Sequence, residues 1–207
     1  MTDPVIVDAG PALNFFSINA ERLLIDAIGK IAVPETVAGE IKGKARQDPR
    51  FRVAADVWAK LERTAWLEVL SDDATPELAA AVQRISKVPM AERVTRAKDL
   101  GEIMVLGHAA VRAEGGTDVV VLIDDGRGAE LAALESARLL RLQRLGRPVG
   151  SLSLMNTHAV LERAAGRRYL PDQRTMRQIY DRLRRCDDGL VDIKQTDLLS
   201  KRIWASS

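Results

Sequence analysis

A chain of 207 residues with 46% hydrophobic and 29% charged residues can bury one sizeable core and has the balance of a soluble globular domain. Its single cysteine, Cys186, excludes an intramolecular disulfide, and two scattered histidines, His108 and His158, exclude a zinc site, so any metal here is held by oxygen. The net charge of +2 conceals a split: residues 1–137 carry 16 Lys/Arg against 22 Asp/Glu, net −6, and residues 138–207 carry 15 against 7, net +8. Such a tail fits a polyanion partner, attraction to the acidic body, or an Arg-rich solvated face. No apolar run approaches the ~20 residues that span a bilayer, and Met1-Thr2-Asp3-Pro4 has no basic leader, so a cytoplasmic protein without a membrane partner is expected.

Val5-Ile6-Val7 is an apolar run closed by Asp8 and followed by Ala9-Gly10-Pro11, which reads as a buried strand entering a sharp turn. Leu23, Leu24, Ala27 and Ile28 have helical spacing, with Asn19 as cap and Gly29 as stop. Ile31-Ala32-Val33 reads as a second strand, and Pro34 suits the first position of a helix bearing Val37, Ala38, Glu40 and Ile41. Residues 43–98 read as mostly helical, with an edge strand over residues 66–70 between the stripes Val53, Val57, Trp58, Leu61 and Leu78, Ala81, Val82, Ile85. A helix from Asp99 through Val111 stops at Gly115-Gly116. Val119-Val120-Val121-Leu122-Ile123 then reads as a central strand buried on both faces, ended by Asp124-Asp125. Beyond it the pattern gives a short helix over residues 128–134, a strand over 139–142 and a helix capped by Ser151 through Leu154, Val160 and Leu161. A last amphipathic helix opens at Pro171-Asp172, with Met176, Ile179, Tyr180 and Leu183 inward and Arg174, Arg177, Arg182, Arg184 and Arg185 between them.

Strands alternating with helices imply a parallel sheet with right-handed crossovers, whose strand carboxyl ends share the edge where ligands of such sheets bind. Asp8, Asp124 and Asp125 then lie along that edge. Glu40 can lean toward it from its helix, and Glu102 from the first turn of the next. Each acid also has an ordinary alternative: Asp124-Asp125-Gly126 is turn chemistry, Glu102 can pair with Asp99 in a capping box, and Glu40 can be a solvated surface residue. Clustered carboxylates repel unless cations neutralise them. Hard oxygen ligands favour Mg²⁺ or Mn²⁺, and such a site activates water against a phosphodiester.

In order and spacing, Val5-Ile6-Val7-Asp8-Ala9-Gly10-Pro11-Ala12-Leu13, then Val33-Pro34-Glu35 with Glu40-Ile41, then Leu100-Gly101-Glu102, then Leu122-Ile123-Asp124-Asp125 resembles a PIN domain. The closer likeness is to the prokaryotic PIN-like branch with an Asp-x-Gly-Pro turn and Gly-Glu as its third acidic motif. The resemblance runs from Val5 to about Ala165. It implies a three-layer α/β/α sandwich with a central parallel sheet over residues 1–165; the basic helical extension over residues 166–207 lies outside it and is read from its own pattern. It further implies a Mg²⁺- or Mn²⁺-dependent endoribonuclease in which Asp8, Glu40, Glu102 and Asp125 are catalytic. Asp8, Glu102, Asp124 and Asp125 would hold the metal. RNA is then the substrate, and the small members of the family imply a VapC-type toxin with an antitoxin or a second copy as partner. Gly10 departs from the Ser or Thr that many members carry two residues after the first Asp, and residues 43–98 are longer than in the small toxins. A HAD-like phosphatase would want an Asp where Gly10 stands. A PIN-fold module that binds RNA or protein without cutting is the other alternative, against which four intact acids argue, because a polyanion gains nothing from clustered negative charge.

Overall fold

Five short strands carry the fold: β1 (Val5–Val7), β2 (Ile31–Pro34), β3 (Leu67–Leu70), β4 (Val119–Leu122) and β5 (Leu152–Met155). In the computed structural model, which describes residues 3–187 and 189–204, they form one sheet, all parallel, in the order β3-β2-β1-β4-β5. Every residue of β1 and β2 is buried, as unbroken aliphatic runs require when a sheet is covered on both faces. The edge strands β3 and β5 bury their end residues and expose the middle two, Glu68 and Val69 in one and Ser153 and Leu154 in the other. The chain is thus an α/β protein whose central parallel sheet is flanked by helices.

The helices are α1 (Ala9–Ser17), α2 (Glu21–Ile28), α3 (Glu35–Gln47), α4 (Arg52–Leu61), α5 (Pro76–Ser86), α6 (Met90–Arg93), α7 (Leu100–Glu114), α8 (Gly126–Arg144), α9 (Thr157–Ala164), α10 (Gln173–Cys186) and α11 (Lys201–Trp204), with single 3-10 turns at Pro49–Phe51 and Ile193–Gln195. Several starts are fixed by side chains that accept from otherwise unsatisfied amides: Thr75 from Leu78, Asn156 from Ala159, Asp172 from Thr175. α7 lies across β1, β2, β4 and β5 and is the longest buried helix of the interior. None of the described helices is long and apolar enough to cross a membrane.

Four local expectations change. Residues 9–17 form a helix where a turn was expected, because Pro11 falls in the first turn, where its missing N–H leaves no bond unmade. Asn19 takes a left-handed backbone with φ of 54°, and Ala20, not Asn19, occupies the cap position of α2. Residues 139–142 lie inside α8 rather than in a strand, since Ala132, Glu135 and Leu139 bury at helical spacing. Residues 152–155 are strand β5, and Ser151 bonds Asp118 Oδ1 instead of capping a helix.

The basic segment beyond residue 165 shares the core of the sheet. Leu170, Met176, Tyr180, Leu183, Ile193 and Leu198 are all buried in the same apolar cluster, and α10 packs on α1. Several of its arginines serve internal contacts: Arg167 donates to Asp26 O, Arg182 to Ile18 O and Arg184 to Leu190 O, and Arg202 pairs with Glu162 and Asp197.

Asp72, just after β3, holds two helices to the sheet edge. Its Oδ2 accepts from the Thr36 amide at 2.6 Å and its Oδ1 meets His108 Nε2 at 2.8 Å, tying the start of α3 to α7. Burial alone would raise the Asp72 pKa, but the bonds from His108 and Thr36 outweigh it and hold the carboxyl below its ordinary value. The stability this adds is present above the unfolded pKa and is lost as pH falls through the lower folded value. Replacing Asp72 with Ala is expected to lower unfolding stability by about 1–3 kcal/mol in urea titrations at neutral pH, with a much smaller difference at the acid end.

Candidate active site

Strand order reverses direction between β1 and β4: from β1 the chain steps to β2 and then β3 on one side, and later to β4 and β5 on the other. The crevice beyond the carboxyl ends of two such strands is where ligands of open parallel sheets bind. Val7 pairs with Leu122, and the Asp8 amide donates to Leu122 O at 3.0 Å, so Asp8 and Asp124 leave the sheet side by side. Asp8, Asp124 and Asp125 line one cavity of about 500 Å³.

Each of these acids sits at a helix N-terminus, where unpaired amides and the helix dipole favour negative charge. Asp8 occupies the cap position of α1. Asp125 caps α8, its Oδ1 accepting from the amides of Arg127 at 2.7 Å and Gly128 at 3.2 Å. Asp124 faces the start of α9: Oδ1 accepts from the Thr157 amide at 2.7 Å and Oδ2 from Thr157 Oγ1 at 2.6 Å. The turn chemistry of Asp124-Asp125-Gly126 is therefore real, and it fixes both carboxylates at the mouth of the cavity.

Glu40 and Glu102 approach Asp8 from α3 and α7 without lining that cavity. Gly101 makes the approach of Glu40 feasible, because a Cβ there would stand 3.0 Å from Glu40 Oε1 and 3.1 Å from Oε2. Asp99 takes a left-handed backbone with no side-chain cap, so no capping box forms with Glu102. Instead Glu102 Oε2 is shut off from solvent and has no hydrogen-bond partner.

The electrostatics of the group point one way. Asp8 is only 8% exposed, and burial first, then the charge of Asp124, raises its pKa against the opposing pull of the Ala9 and Gly10 amides and Lys44. Burial and then Asp8 raise Glu40, with Lys44 and the Gly101 amide opposing. Burial raises Asp124 despite the Thr157 bonds, and Asp187 adds to the rise. Glu102 is pushed up to about 7, by burial first and then by Asp125, Asp8 and Asp99, with Arg127 opposing.

All five expected acids are thus brought to one end of the sheet, in two sets that meet at Asp8. Among the described residues, no three acidic, imidazole or thiol side chains stand close enough to form a ready-made metal cluster. Sequence reasoning missed Asp187, Asn156 and His158, which line the same cavity, and Lys44, whose charge acts on both Asp8 and Glu40. His158 Nε2 lies 3.0 Å from Asp197 Oδ1. Lys44 was within reach of the pattern, standing one turn beyond Glu40 on the same helix; the others come from segments with no acidic motif of their own. The sequence matches no protein-family model and no curated protein, and the structure matches no solved structure.

A carboxyl whose folded pKa is raised binds protons more readily in the folded chain, so stability falls as pH rises from the unfolded pKa through the folded one. For Glu102 that window runs from about pH 4.5 to about pH 7, and Asp8, Glu40 and Asp124 act with the same sign. Without divalent cations the melting temperature is expected to be lower at pH 8 than at pH 5.5. Glu102→Gln should remove much of that difference by stabilising the protein at pH 8. A pH-independent melting temperature in the wild type would contradict the assignment.

Proposed function

We propose that this chain is a Mg²⁺- or Mn²⁺-dependent endoribonuclease of the PIN-like kind, acting on RNA in the cytoplasm. The observation that carries the reading is the convergence of Asp8, Asp124 and Asp125 on the crevice between β1 and β4, with Glu40 and Glu102 behind Asp8. The donor set fits a hard divalent cation, since it is made of carboxylates and includes a buried oxygen, Glu102 Oε2, with no partner. Asp8, Asp124 and Asp125 would hold the ion, with Glu102 adjoining. When bound, the ion supplies Lewis-acid polarisation of a phosphoryl oxygen and neutralises charge that builds on it.

The chain's own groups do the rest. Helix N-termini α1, α8 and α9 orient the three carboxylates, and Thr157 fixes Asp124 through both oxygens. A second hollow of about 470 Å³ shares Gly10 and Asp187 with the acidic cavity and is lined by Lys44, Gln47 and Arg50. It offers the Lys44 ammonium and the Gln47 amide to the RNA backbone beside the scissile bond, as single-strand binding requires. An antitoxin or a second copy is the partner that the family resemblance offers for such a nuclease.

A non-cleaving PIN-fold binding module is the second reading. It is favoured by the capping work of Asp125 and by the separation of the carboxylates as they stand. One experiment divides the two. Wild-type protein should cleave single-stranded RNA with Mg²⁺ or Mn²⁺ and stop on addition of EDTA, while Asp8→Asn should fold, bind RNA and lose about 10²- to 10³-fold or more in rate. EDTA-resistant cleavage or a fully active Asp8→Asn protein would refute the mechanism, and RNA binding without cleavage by the wild type would select the binding module.

A further inference from the structure

The C-terminal segment reaches the acidic cavity from the far end of the chain. Asp187, the residue after α10, lines it together with Asp8, Asp124 and Asp125. Its position is fixed from two sides: Oδ2 accepts from Asn14 Nδ2 at 2.8 Å, and Oδ1 accepts from the Gly189 amide at 2.8 Å. Asn14 is 3% exposed and lies on α1, the helix that Asp8 opens, so one helix positions both acids. α10 is anchored in turn by Met176, Tyr180 and Leu183 in the core.

Those contacts orient Asp187 without neutralising it. Its hydrogen-bond donors are a neutral amide side chain and a backbone amide, and it forms no ion pair among the described residues. The basic residues of α10 lie close in sequence, yet the negative field of Asp187 still reaches Asp124. Asp8, 8% exposed, lines the cavity with no side-chain donor and with only the Ala9 and Gly10 amides and the charge of Lys44 to offset its own, and behind it, outside the cavity, Glu102 Oε2 is buried without a partner.

We infer that Asp187 is a further carboxylate of the divalent-cation site, positioned by Asn14, so that the site is completed by the C-terminal segment. The inference rests on the metal reading of Asp8, Asp124 and Asp125 given above. A carboxylate in that place adds an oxygen ligand, directly or through a water of the ion, and raises affinity for the ion. It also closes the cavity on the side facing α10.

The test is a Mn²⁺ titration of the full chain, read by electron paramagnetic resonance of the free ion, with the Mn²⁺-induced rise in melting temperature as a second readout. Asp187→Asn is expected to weaken Mn²⁺ binding by about 10- to 100-fold. Its metal-free melting temperature should equal or exceed that of the wild type, because the amide still accepts from Gly189, Asn14 can turn its own amide to keep contact, and one like charge is gone. Asn14→Ala should weaken Mn²⁺ binding in the same direction by a smaller factor. Wild-type affinity in Asp187→Asn, beside a wild type that binds, overturns the inference and leaves the metal reading standing. Lower metal-free stability with unchanged affinity also overturns it, by making Asp187 a structural residue. A wild type that binds no Mn²⁺ overturns both.

Discussion

Asp8 is held between two opposed demands: the strand that ends in it must stay inside the sheet, and its charge is disfavoured there. Burial of a carboxylate raises the free energy of the ionised form, and every acid brought near raises it further. Asp124 does so from the neighbouring strand, and Glu40 and Glu102 carry the strain on to α3 and α7. A protein meets such a load with oriented dipoles, with hydrogen bonds, with protons or with a cation. The first two are built into the structure, as the starts of α1, α8 and α9 and the Thr157 clamp. They leave Glu102 with a pKa of about 7 and an unpartnered oxygen, and the remaining two are exchangeable with solution.

Rigid surroundings make that arrangement persist. β1 is the central strand of a five-strand parallel sheet and β4 its neighbour, and their residues are almost wholly excluded from water. α7 braces four of the five strands from one element, and Asp72 locks its middle to the start of α3. The acids on these elements therefore cannot relax far from one another by backbone movement. Side-chain rotation is the freedom left, which accounts for a group of acids that interact strongly while no three of them form a preset cage.

Much of this was legible because the signals were local. Aliphatic runs ended by Asp8 and by Asp124-Asp125 name two central strands and the edge on which their acids fall, with no knowledge of partners. Gly101 before Glu102 belongs to the same class once its neighbour is known, since a side chain there would crowd the Glu40 carboxylate. Where two local signals conflict, the reading failed: Gly10-Pro11 reads as a turn although Pro11 is compatible with a first helical turn, and Leu-rich residues 139–142 read as strand although they continue an amphipathic helix. Asp187 was illegible for another reason. It stands in a segment whose arginines dominate its composition, and its partner Asn14 lies 173 residues away, a contact that no periodicity encodes.

The span between Asn14 and Asp187 carries a consequence for biosynthesis. During synthesis the strand ending in Asp8 can pair with β2 after about thirty residues, a separation favourable for early folding. Its other neighbour, β4, is made some ninety residues later still, and the segment that brings Asp187 into place follows only after α10. On a ribosome the acidic crevice stays divided between the finished and the unmade parts of the chain until the segment after α10 has emerged. If the crevice holds the proposed cation, the carboxylate that Asp187 adds to it is the last to arrive in the nascent chain.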